Sequence, residues 1–415
     1  ICMHKWGNMK HKYFYGYNIL AAGFIIQAIC IGIFTTYGIF FKEFQLEFGW
    51  SRTTISGASS LGTLILGAAT IIAGRLNDKI GPRTILVSSG ILLGFGYLLM
   101  SFIQEPWQLF LLYGMIIGVG FSAIDIIPLS TIARWFVKRR GMMSGMVKIG
   151  TGFGQLVMPL IAISLITAYG WRNSYIIIGI VLLITIPSIA QVLRRDPQEL
   201  GLLPDNDNEE PNVSVASSTD PGVSLRVAIR TKQLWLINGV WFALLFCTLT
   251  IFLHIVPHAI DLGLPQTTAT GILSTIGAVS MLGRLFMGII NDKIGGKRSL
   301  IVSTIIFLCG LIWLQIAKDA WMLFLFASFH GFAHGALYTI ISPIVAELFG
   351  TKSHGVLLGI VWFSGSIGGA SGPLMAGRIF DLTGSYHIAF LILTGMAVLG
   401  LLLIALLKPL QESIS

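Results

Sequence analysis

Charged residues are scarce in this chain of 415 residues. Asp, Glu, Lys and Arg make up only 11% of it, whereas a soluble domain carries about 25%. Hydrophobic residues reach 54% and the mean hydropathy is +0.82. This composition excludes an ordinary soluble globular protein. The apolar runs also lack the alternating period of a membrane β-barrel, so membrane-spanning helices are the remaining architecture.

Cysteine is also rare, and the few cysteines do not suggest a site. Of the four, Cys30, Cys247 and Cys309 lie inside apolar segments at no paired spacing. The sequence therefore predicts neither a disulfide framework nor a metal centre. The net charge of +9 comes from basic residues in the loops between apolar segments, which does not indicate nucleic-acid binding.

Motifs for catalysis and for cofactors are missing. There is no pair of intramembrane aspartates, no His-Glu-x-x-His and no serine with a positioned base, so an enzyme is disfavoured. The glycine-rich stretch 365–373 does not resemble a phosphate-binding loop. His330 and His334 share a helix face, but no further cluster completes a metal site. We therefore expect no cofactor and no metal.

Twelve apolar segments are long enough to span a membrane, at about 20 residues each. They cover residues 15–41, 53–74, 84–102, 107–136, 141–168, 175–193, 234–262, 268–290, 300–316, 321–349, 355–379 and 387–407. A polar stretch rich in proline, serine and acidic residues separates the sixth segment from the seventh. The sequence predicts an all-α membrane protein with six-helix bundles at 1–193 and 233–415. The linker, 194–232, is expected to be partly disordered and to hold a short helix near 225–229.

The two halves repeat each other in sequence. Residues 74–83, GRLNDKIGPR, match residues 288–297, GIINDKIGGK, at an offset of 214 positions. Both copies lie in the loop after the second helix of their half. A parallel duplication of six helices is typical of alternating-access transporters.

The basic residues predict how the chain is oriented. Lysine and arginine number 20 on the side of both termini and 5 on the other side. The positive-inside rule therefore predicts that both termini are cytoplasmic. We expect a multi-pass protein of the cell (inner) membrane.

The repeated loop resembles the motif that follows the second helix in the major facilitator superfamily, Gly-x-x-x-Asp-x-x-Gly followed by basic residues. Two further stretches, FFKEFQLEFGWSR at 40–52 and WFVKRRGMMSGMVKIG at 135–150, are similar to the monocarboxylate transporter family and its bacterial relatives, including oxalate:formate antiporters. The stretch HIVPHAIDLG at 254–263 and the Gly-Arg at 283–284 fit the same bacterial group. The resemblance covers the whole chain and implies a major facilitator fold of twelve helices.

Arg284 is the leading candidate for a substrate-binding residue, because it lies inside the apolar segment 268–290. A cation at the centre of a membrane helix costs about 2.5–3.5 kcal/mol on insertion scales and normally faces a polar cavity or a partner. The alternative is an arginine that snorkels to the nearby helix end. The resemblance implies that this arginine binds the substrate carboxylate, to which a guanidinium donates two hydrogen bonds.

The chain departs from the monocarboxylate transporters around this arginine. Ser280 stands one turn earlier, where that family has an acid, and Thr35 stands where it has a lysine. Oxalate exchangers have a second cation in the eleventh helix, and residues 361–364 of this chain offer none. The predicted substrate contacts are Arg284, Ser280, His334, Tyr338, Phe121 and Phe363. Packing within the bundle is the alternative role for His334 and for the aromatic residues.

Asp125 and Lys148 form a second candidate site. Helix rise places them at similar depth on neighbouring helices, where an ion pair removes most of the cost of burial. The pair is either structural, or it is broken by a proton or an anion during transport.

Candidate gating residues lie at both ends of the helices. His254 and Asp261, with His258 between them, come near the end of the seventh helix. They predict either a proton-linked gate at the outer mouth or interfacial polar residues beside water. In the repeated loops, Asp78 and Asp292 are expected to cap helices and to hold the inward gate shut.

These features predict a proton-coupled secondary transporter of small organic monocarboxylates, such as lactate or pyruvate. It is expected to work in the lipid bilayer by alternating access, as a monomer, with the carboxylate and a proton as its partners. The alternative is an organic anion exchanger in which Lys148 is the second cation.

Overall fold

A computed structural model describes residues 14–136, 140–206, 223–350 and 354–408, and every regular element in these ranges is helical. The first crossing is made by α1 (Gly16–Thr35) and α2 (Tyr37–Phe48). It reaches seven residues beyond the predicted end at Phe41. The second and third crossings are α3 (Arg52–Ile80) and α4 (Pro82–Met100). Ser51 caps α3 by accepting a hydrogen bond from the Thr54 N–H at 3.1 Å.

The fourth crossing is irregular. It consists of α5 (Pro106–Leu109), a π-helical segment (Phe110–Ile117), α6 (Gly118–Phe121) and α7 (Ile126–Trp135). Residues 122–125 form a turn between α6 and α7. Such interruptions at membrane depth are tolerated where protein or a polar cavity satisfies the freed backbone groups.

The fifth and sixth crossings are merged in α8 (Arg140–Ala190), which contains Gly170 at φ 78° and ψ 162°. A backbone with this φ suits glycine and is not helical, so α8 is two helices joined at Gly170. Turns at Pro197–Leu200 and Pro204–Asn206 follow, and then α9 (Leu225–Ala228). The short helix predicted in the linker is therefore present.

The second half of the chain contains six further helices. They are α10 (Lys232–Asp261), α11 (Gln266–Ile294), α12 (Gly296–Leu314), α13 (Ala320–Phe349), α14 (His354–Thr383) and α15 (His387–Leu406). Eleven stretches of the described chain are apolar and long enough to span a membrane. Because α8 holds two crossings, the twelve predicted crossings are confirmed.

An even number of crossings puts residues 14 and 408 on one side, which we call the terminal face. The opposite face carries the connections at 49–51, 262–265 and 384–386. The Cβ positions of glycines show how closely the helices approach within each half. A Cβ on Gly154 of α8 would lie 1.9 Å from the Ala28 carbonyl oxygen of α1.

The two halves of the chain, α1–α8 and α10–α15, meet mainly toward the opposite face. α3 packs against α14, α8 against α11, and α2 against α10. A Cβ on Gly38 would lie 2.9 Å from the Leu253 carbonyl oxygen, and one on Gly67 would lie 2.7 Å from Ser366 Oγ. Nearer the terminal face, a Cβ on Gly145 would meet no atom within 4 Å.

Candidate functional site

Arg284 lies between the two halves of the chain. It is ten residues, about 15 Å of helix rise, from the terminal-face end of α11. The side chain is only 7% exposed. A Cβ on Gly152 of α8 would lie 2.7 Å from Arg284 Nη1, so the guanidinium contacts the first half rather than lipid.

The partners of Arg284 are few. Its Nη1 donates to Ser280 Oγ at 3.0 Å, and Ser280 in turn donates to the Gly277 carbonyl oxygen at 2.7 Å. Asp125 and Tyr338 lie within electrostatic range. Among the described residues no carboxylate forms an ion pair with Arg284. This guanidinium keeps donors available for an anion.

Asp125 and Lys148 form the predicted ion pair, Lys148 Nζ donating to Asp125 Oδ1. Asp125 stands at the break before α7, where the start of a helix favours a carboxylate. The side chains are 41% exposed for Asp125 and 28% for Lys148, although both lie about 12–15 Å from the terminal-face ends of their helices. Exposure at that depth indicates space between the helices around the pair.

His334 and Tyr338 lie one turn apart on α13, which packs against α11. The His334 ring is 3% exposed, and among the described residues neither of its nitrogens has a hydrogen-bond partner. The Tyr338 ring lies 4.6 Å from it, and also contacts Trp241 and Trp362. These two α13 side chains join Ser280 and Arg284 as predicted substrate contacts from the second half.

The structure places the other two predicted aromatic contacts in different surroundings. Phe363 is 39% exposed and lies beside α3, since a Cβ on Gly67 would be 3.7 Å from its ring. Phe121 is 3% exposed and packs against Phe34 and Tyr97. Its described contacts therefore correspond to bundle packing, the alternative that the sequence left open.

Arg52 connects the halves at the opposite face. This first residue of α3 is 3% exposed, and its Nη2 forms an ion pair with Asp261 Oδ2 of α10 at 2.6 Å. Its Nη1 donates to Tyr386 Oη at 2.5 Å, and its guanidinium lies 3.5 Å from the centre of the Phe380 ring. Lys42 Nζ also lies near this carboxylate, 3.8 Å from Asp261 Oδ1. The predicted gate residue Asp261 is thus the partner of a buried cation.

Asp381 adds a second contact between the halves at the same face. Its carboxylate accepts hydrogen bonds from the backbone N–H groups of Arg52 at 2.9 Å and Thr53 at 2.8 Å, and from Thr53 Oγ1 at 2.5 Å. The end of α14 therefore caps the start of α3, where a negative charge is favoured.

His254 continues this network into the core. Its Nε2 is 2.9 Å from the Pro373 carbonyl oxygen and its Nδ1 is 2.8 Å from Tyr386 Oη. Because a carbonyl oxygen only accepts, Nε2 carries a proton, and the neutral ring accepts from Tyr386 at Nδ1. His254 is fully buried. The expectation of an interfacial histidine beside water is wrong for His254, because α14 and Tyr386 cover it.

The predicted terminal-face gate is only partly described. Asp78 and Asp292 lie in α3 and α11, but their side chains are outside the described residues. Arg83 donates to the Gln191 carbonyl oxygen at 2.9 Å, and Arg134 pairs with Asp196 at 3.5 Å. Both contacts are made within the first half and the start of the linker.

The family model described as Major Facilitator Superfamily matches residues 23–285 and 255–414. The chain belongs to the major facilitator superfamily. It is therefore a multi-pass membrane transporter and not an enzyme.

Individual relatives indicate which members of the superfamily this chain resembles. The chain is 27% identical to monocarboxylate transporter 13 of Rattus norvegicus over 91% of this chain and 85% of the relative. It is 25% identical to human monocarboxylate transporter 7, over 95% and 86% of the two chains, and 28% identical to MFS-type transporter 1 of an Ophiocordyceps species, over 84% and 74%. The resemblance to monocarboxylate transporters is confirmed.

A solved structure supports the same fold. A bacterial homologue of the human lysosomal transporter Spinster, in an inward-facing and unoccupied conformation, superposes with a TM-score of 0.72 at 14% identity. The match covers 95% of this chain and 96% of that chain. The predicted all-α major facilitator fold is confirmed.

Two parts of the site have little signal in the sequence. Arg52 belongs to a family motif, but it follows a loop and does not lie in an apolar run. Gln27 donates to Asp125 Oδ1 at 2.8 Å, a contact that no motif indicates. Its only sequence signal is an amide inside an apolar helix.

Proposed function

We propose that this major facilitator protein carries small organic monocarboxylates, of the lactate or pyruvate kind, together with a proton by alternating access. The observation that carries the proposal is Arg284. It is a buried guanidinium between the halves whose described hydrogen bond goes to a neutral serine. A buried cation without a protein carboxylate is stabilised by an anionic ligand.

The proposed class of substrate is based on the charge of Arg284 and on the relatives of this chain. A guanidinium binds one carboxylate with two parallel hydrogen bonds. The relatives named above include monocarboxylate transporters. Ser280, His334 and Tyr338 supply polar groups beside Arg284 that suit the remaining oxygen of a small 2-oxo or 2-hydroxy acid.

The proton is assigned to Asp125. Its carboxylate is paired with Lys148 through Oδ1 and is 41% exposed. Protonation of Asp125 weakens the ion pair, and the released ammonium then adds positive charge beside the site for the anion. His254 and Asp261 would contribute by loosening the opposite-face contacts that involve Arg52.

Alternating access would move two bundles, 1–193 and 233–415, around this site, with 194–232 as the linker. The distribution of lysine and arginine supports cytoplasmic termini in a cell (inner) membrane. The opposite face would then be external. Asp78 and Asp292 would belong to the cytoplasmic gate, and a single chain contains all the residues proposed for the site.

Uptake by reconstituted vesicles tests the proposal. A panel of radiolabelled carboxylates with two to five carbons is offered with and without an inward proton gradient. We expect the gradient to drive accumulation of a monocarboxylate. Arg284→Lys should lose at least about tenfold in uptake while it still reaches the membrane, because an ammonium cannot bind a carboxylate with a planar pair of donors. Arg226→Lys, an exposed change in α9, is the matched control, and uptake by Arg284→Lys at the control's rate would refute the assignment.

Anion exchange is the second candidate, and the observation that favours it is the partly exposed Lys148 at the depth of Arg284. An exchanger would show counterflow of two anions with no response to the proton gradient. In that case Lys148→Gln should abolish counterflow while the proton gradient has no effect on the wild-type rate.

A further inference from the structure

Gln27 is a buried amide on α1 whose side-chain hydrogen bonds all go to residues outside α1. It has no exposed surface. Its Nε2 donates to Asp125 Oδ1 at 2.8 Å and to the Ile124 carbonyl oxygen at 3.2 Å. Its Oε1 accepts from Thr151 Oγ1 at 2.9 Å. The amide therefore links the break before α7 to α8.

The Ile124 carbonyl is available because of Pro128. In a helix this oxygen would accept from the N–H four residues later, but proline has none. The helical hydrogen bond one residue earlier is present, since the Ile127 N–H donates to the Ala123 carbonyl oxygen at 3.2 Å. A buried carbonyl left free needs another donor, and Gln27 supplies it. Because a carbonyl only accepts, the amide must direct its NH₂ group toward Ile124 and Asp125.

Thr151 fixes the other end of the amide. It stands one turn after Lys148 on α8 and is 7% exposed. Its hydroxyl donates to the oxygen of Gln27, which would otherwise be buried without a partner. One turn of α8 therefore supplies the cation for Asp125 and also the hydroxyl that orients the neutral donor to Asp125.

The consequence is that two donors converge on one oxygen of Asp125. Lys148 and Gln27 both donate to Oδ1, and hydrogen bonds to the charged form favour the carboxylate over the acid. The other charged or titratable groups that face Asp125 among the described side chains are Arg284 and Tyr338. Of the two donors to Oδ1, Gln27 is the one that can be removed without changing a formal charge near the site.

We propose that Gln27, held in one orientation by Thr151 and the Ile124 carbonyl, is a positioning residue that sets the pH at which Asp125 takes up a proton. This inference rests on the proposed role of Asp125 in proton coupling. Gln27 acts by donating a hydrogen bond that the charged carboxylate of Asp125 accepts more strongly than the neutral acid does.

The test measures protonation directly. The full chain is purified into liposomes, and the carboxyl C=O band of Asp125 is titrated with pH by infrared difference spectroscopy, the band being assigned by its loss in Asp125→Asn. Thr151→Val removes the hydroxyl at nearly constant volume, and Thr151→Ser keeps it. We expect the midpoint of Thr151→Val to rise by about one pH unit and that of Gln27→Met to rise at least as much. Thr151→Ser should stay near the wild type.

A midpoint unchanged in both Thr151→Val and Gln27→Met would overturn the inference. Should Gln27→Met fail to fold, the pair of Thr151 variants alone decides it. Uptake of radiolabelled pyruvate over the same pH range separates the two proposals. If the band midpoint shifts as expected but wild-type uptake shows no proton dependence, the proposed function fails and the positioning role of Gln27 stands.

Discussion

Asp261→Asn should separate the two halves at the opposite face. Asp261 forms the ion pair with Arg52, which is 3% exposed and comes from the other half of the chain. The amide keeps the shape of the carboxylate and one acceptor oxygen but removes its charge. Arg52 then remains buried with a neutral amide oxygen, Tyr386 Oη and the Phe380 ring as its partners.

The size of the effect follows from burial. Removing one partner of a fully buried ion pair costs about 3–5 kcal/mol. Asp261 is 26% exposed and the asparagine still accepts a hydrogen bond, so we expect about 2 kcal/mol. When the halves separate at this face, water hydrates Arg52. The substitution therefore destabilises only the arrangement in which the halves are in contact at this face. Two kcal/mol corresponds to about a 30-fold shift in population toward separation.

Spin labels measure this shift. Leu46 at the end of α2 and Leu382 near the end of α14 are 72% and 67% exposed, and they belong to different halves at the opposite face. After the native cysteines are replaced, labels at these two positions report the distance between the halves by double electron–electron resonance. Asp261→Asn should raise the ratio of long to short distances by about 30-fold.

A matched control changes an ion pair at the same face within one half. Glu47 pairs with Arg172, and both belong to the first half. Glu47→Gln makes the same chemical change and should leave the distance distribution unchanged. The reasoning is refuted if Asp261→Asn also leaves it unchanged, or if the two variants shift it equally.

Two further predictions concern stability. Gly335→Ala should sharply lower the yield of folded protein, because its Cβ would lie 1.9 Å from a backbone carbonyl oxygen of α11. The control is Gly359→Ala, whose Cβ would meet no atom within 4 Å. Measured by fluorescence-detected chromatography, this control should express like the wild type. Glu347→Ala should cost about 1 kcal/mol, because the carboxylate of Glu347 caps the N-terminus of α12 at 2.9 and 3.0 Å. A thermal unfolding midpoint in detergent that does not fall would contradict this.

Hydropathy and helix rise were sufficient to predict the crossings and the central pair. The apolar segments indicated twelve crossings because the backbone in a bilayer must satisfy its own hydrogen bonds. The pairing of Asp125 with Lys148 followed from counting 1.5 Å per residue along two antiparallel helices. Both predictions depend only on distances along one helix or between sequence neighbours.

The opposite-face network could not be predicted in that way. Arg52 is buried because α3 meets α10 and α14, which are about 200 and 300 positions later in the chain. The burial of His254 has the same origin. Gln27 depends on the Ile124 carbonyl, which Pro128 leaves free in a different membrane crossing. In each case the signal is a contact between distant segments, which periodicity does not contain.

The charges at mid-membrane suggest why a proton and a monocarboxylate would travel together. Among the described side chains around the site, Arg284 and Lys148 are positive and Asp125 is negative, so the empty site has a net charge of about +1. A monocarboxylate alone would bring this to zero, whereas a monocarboxylate with a proton on Asp125 restores +1. The loaded carrier and the returning empty carrier would then move the same charge across the membrane, and the full cycle is electroneutral.

An acid at position 280, in place of Ser280, would lower each of these charges by one. It would also compete with the substrate for Arg284, because Ser280 Oγ is only 3.0 Å from that guanidinium. Without that second acid, Arg284 would remain available to the anion while Asp125, on the other half, would take the proton.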